Sequence, residues 1–156
     1  MDLQILLHIL LAMFLGGLIG LEREMARKPA GLRTHMLVAG ASALLVGLSN
    51  AIIREMDVSS TLLRSDPIRI VEAVVTGVTF LGAGTIIRYK EEVEGLTTAA
   101  SLLFVASIGI AAALSRFSLA IGATLLTLLI LRGVKWVEER ISRMKSEREY
   151  EHVEEV

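Results

Sequence analysis

Leu21 to His35 read LEREMARKPAGLRTH, and the reading of this stretch decides the architecture. It crowds Glu22, Arg23, Glu24, Arg27, Lys28 and Arg33 between two long apolar runs, and Pro29 and Gly31 break its middle. A segment so charged and so interrupted does not continue through hydrocarbon, so it reads as a water-side connection between two membrane helices.

The rest of the chain agrees. Of 156 residues, 53% are hydrophobic, with a mean hydropathy of +0.62, above the roughly half-apolar make-up of soluble domains. The apolar residues fall in blocks at Gln4 to Leu21, Thr34 to Ile53, Pro67 to Ile87, Leu96 to Leu114 and Phe117 to Val134, each near the roughly 20 residues a helix needs to cross a bilayer. Helices satisfy every backbone polar group within the segment, and the alternating signal of barrel strands is missing from these blocks. The expectation is an all-α integral membrane protein, a bundle of about five transmembrane helices. Residues 1–134 form its transmembrane domain and residues 135–156 a charged cytoplasmic helical tail. The chain has no cysteine, which removes disulfide and thiolate chemistry. The first run lacks a basic n-region and an Ala-x-Ala-like cleavage site, so it reads as a retained helix and not a signal peptide.

Basic residues orient the bundle. Arg23, Arg27, Lys28 and Arg33 lie in the first connection, Arg88 and Lys90 in the third, and Arg132, Lys135, Arg140, Arg143, Lys145 and Arg148 at the C-terminal end. The opposite side carries only Arg54, Arg64, Arg69 and Arg116. The positive-inside rule then places the N-terminus outside and the C-terminus in the cytoplasm. Arg27 and Lys28 serve this orientation. Arg33 and His35 stand at the start of the second helix, where the helix dipole disfavours a cation, and Glu22 ends the first helix on the same face; a Glu22–Arg33 contact across the turn is expected.

An internal repeat is also present in outline. FLGGLIG (residues 14–20) recurs as FLGAGTI (residues 80–86), and GLRTH (residues 31–35) as GLTTA (residues 95–99), at offsets of 66 and 64 residues. Each unit holds two spans, so the copies run parallel and relate helices one and two to three and four by a pseudo-two-fold axis along the membrane normal. Gly16, Gly20, Gly77, Gly82 and Gly84 are expected to let helices pack closely. Thr34 and Thr98 are expected to cap helices two and four.

LGGLIGLERE, KPAGLRTHMLV, DPIRI, FLGAG and GLTTAASL occur in the order and spacing of the MgtC/SapB family of bacterial and archaeal inner-membrane proteins, which the chain resembles from about Leu10 to Leu131. The resemblance implies about five membrane helices with a cytoplasmic C-terminus, and a role in adaptation to low magnesium and stress, regulatory through contacts with other membrane proteins. It carries the family's motif residues onto Glu22, Arg23 and Glu24, onto Arg33, Thr34 and His35, and onto Asp66, Pro67 and Arg69; Thr97 and Thr98 join them as polar candidates. The chain departs from the family pattern at Glu72-Ala73, Thr79 and Leu103. Longer members add a soluble cytoplasmic domain, for which the tail from Lys135 is too short.

In the tail, Val134, Val137, Ile141 and Met144 recur at helical spacing, with Trp136 at the interface. A solvated or surface-lying helix is the expectation, and the stripe offers a face for partner binding or self-association. Ionisable residues within spans point to function. His8 is expected as a neutral ring bonded to a neighbouring helix, and Asp66, Arg69 and Glu72 as a cluster near the outer face. No GxSxG, phosphate loop, HExxH or Cys/His metal set occurs, so an enzyme is not expected and no cofactor is implied; a metal site is left undefined. Basic residues interleaved with acids and pinned to a membrane argue against nucleic acid. Besides the lipid bilayer, the expected partners are other membrane proteins and copies of the chain itself. Two functions remain: a regulatory membrane protein, or a transporter or channel for a cation such as Mg²⁺ with Asp66, Glu72 and Glu22 as stations.

Overall fold

A computed structural model of the chain describes residues 2–55, 67–90 and 92–133. Among them run α1 (Asp2–Met25), α2 (Leu32–Glu55), α3 (Pro67–Ala83), β1 (Ile87–Tyr89), β2 (Glu92–Glu94), α4 (Leu96–Ala113) and α5 (Phe117–Gly133). The five-helix membrane bundle expected from the apolar blocks is what forms. At 1.5 Å per residue, the 24 residues of α1 and of α2 extend about 36 Å and the 18 of α4 about 27 Å, and all three are long and apolar enough to cross a bilayer.

Helix α1 has a largely small-residue face and a bulky one. On α1, Ala12, Gly16, Ile19 and Gly20 recur at three- and four-residue steps and are buried, whereas Leu3, Leu7, Leu10, Phe14, Leu18 and Leu21 cover the opposite side and are exposed. Exposed leucines in such a continuous stripe suit acyl chains and not water. The central helix is α4. From Ser101 to Ala113 it is buried except along the face of Leu103, Phe104 and Ser107, and it packs against α1, α2 and α3. On α5, Ala120, Thr124 and Thr127 line up at helical spacing toward the core, and both threonines return their hydroxyls to carbonyls of their own helix, at 2.9 and 2.7 Å.

Glycine sets the closest approaches. A Cβ on Gly16 would meet Ala39 Cβ at 2.7 Å and His35 O at 2.8 Å, and one on Gly20 would meet Gly31 O at 2.9 Å. The second repeat reproduces both contacts, looser in the first case: Gly82 faces Ala99 O at 3.5 Å, and Gly95 faces Thr85 O and, at 3.1 Å, Ile86 Cα. With the offsets of 66 and 64, Gly82 and Ala99 are the counterparts of Gly16 and His35, and Ile86 and Gly95 those of Gly20 and Gly31. The halves therefore share their internal helix contact. Their mutual contact is not shared. Gly109 of α4 packs on Ala39 O, while the residues at the matching offsets, Leu45 and Leu103, are both exposed. Two further glycines make no helix contact: nothing lies within 4 Å of a Cβ on Gly77, and Gly84 lies in the turn after α3, close only to that helix's own carbonyls.

The third apolar block was expected to remain helical to Ile87, but α3 stops at Ala83. Gly84 and Thr85 turn the chain, the Thr85 hydroxyl donating to Gly82 O at 2.7 Å, and a two-stranded antiparallel hairpin follows with Ile87 opposite Glu94 and Tyr89 opposite Glu92. Lys90 at its tip has φ 55°, and its ammonium sits 5.6 Å from the centre of the Tyr89 ring. Both strands are exposed throughout.

Candidate functional site

The stretch Leu21 to His35 builds the site. Helix α1 ends in a Schellman motif, in which Lys28 N–H donates to Arg23 O and Arg27 N–H to Glu24 O, both at 3.0 Å, with Arg27 left-handed at φ 53°. Pro29 and Ala30 carry the chain round, and Gly31, not Thr34, stands before the first residue of α2. The orphan amide of Leu32 donates to Glu24 Oε2 at 2.8 Å, so the last turn of α1 supplies an anion to the positive end of α2. Thr34 is exposed inside α2. At the equivalent turn, Gly95 in the left-handed region (φ 90°) caps α4 without any side-chain bond, and Thr98 lies buried within the helix while Thr97 is exposed. Capping by the two threonines, expected from the sequence, does not occur because both helices start two or three residues earlier.

Glu22 and Arg23 are the only buried charged residues among those described, at 5% and 3% exposure. They pair with each other: Arg23 Nε donates to Glu22 Oε2 at 2.6 Å and Nη2 to Oε1 at 2.9 Å, a bidentate bridge. The expected Glu22–Arg33 contact is not made. Arg33 is exposed, and the neighbouring guanidinium occupies both carboxylate oxygens.

His35, fully buried, joins α2 to α4. Its Nδ1 lies 2.9 Å from Gly31 O and its Nε2 3.0 Å from Ser101 Oγ, while Ser101 Oγ donates to Thr98 O at 2.8 Å. A carbonyl can only accept, which assigns a proton to Nδ1. In the neutral ring Nε2 accepts from the serine hydroxyl; in the imidazolium it donates to that oxygen, and the hydroxyl stays on Thr98 O. Each ring nitrogen therefore has a hydrogen-bond partner in either protonation state. Ser101 is not among the residues singled out from the sequence; its signals there are its place in GLTTAASL and one turn after Thr98 on an apolar helix.

The remaining sequence candidates lie at the other end of the bundle. Arg69 and Glu72 of α3 are exposed and form no ion pair with each other, and Asp66 lies outside the described residues, as do the tail positions from Val134 onward. His8 makes an edge contact with the Phe117 ring, centroids 5.4 Å apart, and lines a cavity of about 70 Å³ with Gln4, Asn50, Arg54 and Ser115. Among the described residues no three His, Cys, Asp or Glu side chains converge as metal ligands would.

Comparison with known proteins matches residues 9–140 to the model of the MgtC family. An uncharacterized protein of Haemophilus influenzae is 40% identical over 142 residues, 88% of this chain and 60% of that protein. A protein of Escherichia coli K12 named "Putative magnesium transporter YhiD" is 39% identical over 131 residues, 84% of this chain and 60% of its own length. Protein MgtC of Salmonella typhimurium LT2 is 39% identical over 139 residues, 89% and 56% respectively. The chain spans less than two thirds of the length of these relatives. No solved structure matches it.

Proposed function

The chain belongs to the MgtC family, and from that premise we propose that it is a regulatory protein of the inner membrane, tied to magnesium limitation or stress and acting through contacts with other membrane proteins. One observation carries the regulatory reading over the transport one. The buried carboxylate, Glu22, has both oxygens on Arg23, and between that pair and the polar cavity at His8 the helices are filled by Ala12, Leu15, Ala43, Val105, Ile108 and Ala112. A hydrated divalent cation needs free carboxylate and water oxygens along its route, and these side chains supply none. The exposed leucine and phenylalanine stripe of α1 and the hairpin at the other edge offer faces on which a membrane partner can dock.

Purified chain in proteoliposomes is expected to show no saturable Mg²⁺ uptake. Saturable uptake that disappears in Asp66→Asn and Glu72→Gln, at unchanged protein level, would establish the transport reading suggested by the name of the Escherichia coli relative.

The orientation proposed with this function, N-terminus outside and C-terminus cytoplasmic, predicts that a reporter fused after Val156 is active only as a cytoplasmic protein and one inserted at Ser60 only as an external one. The opposite pattern at either position overturns it.

A further inference from the structure

We propose that the groove between α2 and α3 is a binding site for one phospholipid, with the phosphate on Arg69 and an acyl chain along the apolar wall. The open groove has a volume of about 570 Å³, within the roughly 300–1,000 Å³ of small-molecule sites, and Leu45, Leu48, Ile52, Ile70, Ala73 and Val74 line it. Among the described residues Arg69 is the only charged one on its wall. A second space of about 220 Å³, bounded by Val46, Val71 and Leu114, shares Ser49 and Ile70 with the groove and extends it toward the end of α4.

Charge selects the ligand. Arg69 is exposed and makes no ion pair among the described residues, although it stands on a helix face that borders hydrocarbon. A guanidinium there is costly unless an anion meets it or its side chain reaches the headgroups, and its planar fork suits the two free oxygens of a phosphodiester. As the third residue of α3, it lies only about 3 Å along the axis from the helix start, at headgroup depth. An anion is therefore available at that level from the bilayer itself.

Shape selects it too. Where two helices of this protein meet, small residues bring the backbones together, as Gly16 does against Ala39. The α2–α3 groove is instead walled by branched side chains, which leave an irregular slot. A flexible acyl chain conforms to such a slot more readily than a helix from a second copy does. Gly77 of α3, with nothing within 4 Å, adds to the open space on that helix.

The test is native mass spectrometry of the full chain in mild detergent, titrated with phosphatidylglycerol. One retained lipid per chain is expected, bound about tenfold more weakly in Arg69→Gln, which removes a charge-assisted bond, and similarly in Ala73→Phe, which fills the groove and keeps the charge. Arg54→Gln, in the other cavity, should bind as the unmodified protein does. Equal weakening in Arg54→Gln would indicate unspecific charge attraction and overturn the site. So would retention unchanged in both groove variants, displacement of the lipid by glycerol 3-phosphate, which would mean a headgroup anion site alone, or a groove that becomes protected only on dimerisation.

Discussion

Arg23→Met is expected to destabilise the protein by about 3–5 kcal/mol, enough to deplete it from the membrane, because it leaves the Glu22 carboxylate buried at 5% exposure with no counter-charge. Both oxygens of that carboxylate are held by Arg23, and no other donor to them is present among the described residues. The double variant Glu22→Gln with Arg23→Met should recover most of the loss, since removing both charges is far less costly than stranding one. Thermal unfolding in detergent, followed by size-exclusion fluorescence, reads the difference. If Arg23→Met melts with the unmodified protein, the pair is not a buried bridge in the membrane-embedded state.

Gly109→Leu should be nearly as damaging, at about 2–4 kcal/mol. A Cβ at this position already overlaps Ala39 O and approaches Ser42 Cβ to 3.0 Å, and the obstacle is a main-chain carbonyl that cannot rotate aside. Accommodation requires α4 to withdraw from α2, which also pulls Ser101 from His35. Overpacking alone costs about 1–3 kcal/mol, and the parted hydrogen bond about 1 kcal/mol more. Gly77→Leu, placed where nothing lies within 4 Å, is the control and should be nearly neutral. Equal melting temperatures for the two variants would mean that the α2–α4 contact does not set the helix spacing.

The helices could be read from the sequence because bilayer thickness fixes the length of an apolar block, and Leu21–His35 could be placed at a boundary because its charges cannot enter hydrocarbon. Partner choice within that stretch was harder. Glu22 and Arg33 are paired on the sequence because each stands at the helix end unfavourable to its charge and Pro29 to Gly31 can turn the chain back; successive residues on a helix point about 100° apart, so no helical pattern points to Arg23 next door. The length of the arginine side chain overcomes that angle. The hairpin after α3 went unrecognised because Ile87 extends the apolar block, although Ile87, Tyr89 and Val93 alternate with Arg88, Lys90 and Glu94 in the period of a strand. His35 could be singled out as a polar residue entering a span; its partner Ser101 could not, since the pairing joins positions 66 residues apart through packing that no local pattern encodes.

That separation bears on how the chain is assembled. The turn between α1 and α2 is closed entirely by its own residues, through the Schellman motif, the Glu24 carboxylate and Gly31, so the first two helices can pair as soon as they leave the ribosome. At synthesis rates of roughly 5–20 residues per second, His35 then waits roughly 3–13 s for Ser101 to be made. During that interval the hairpin of α1 and α2 is a finished unit with one unmet polar contact on the face that α4 will cover. The imidazole is thus a marker of order in biogenesis, satisfied when the central helix arrives and idle in any chain that stalls before it.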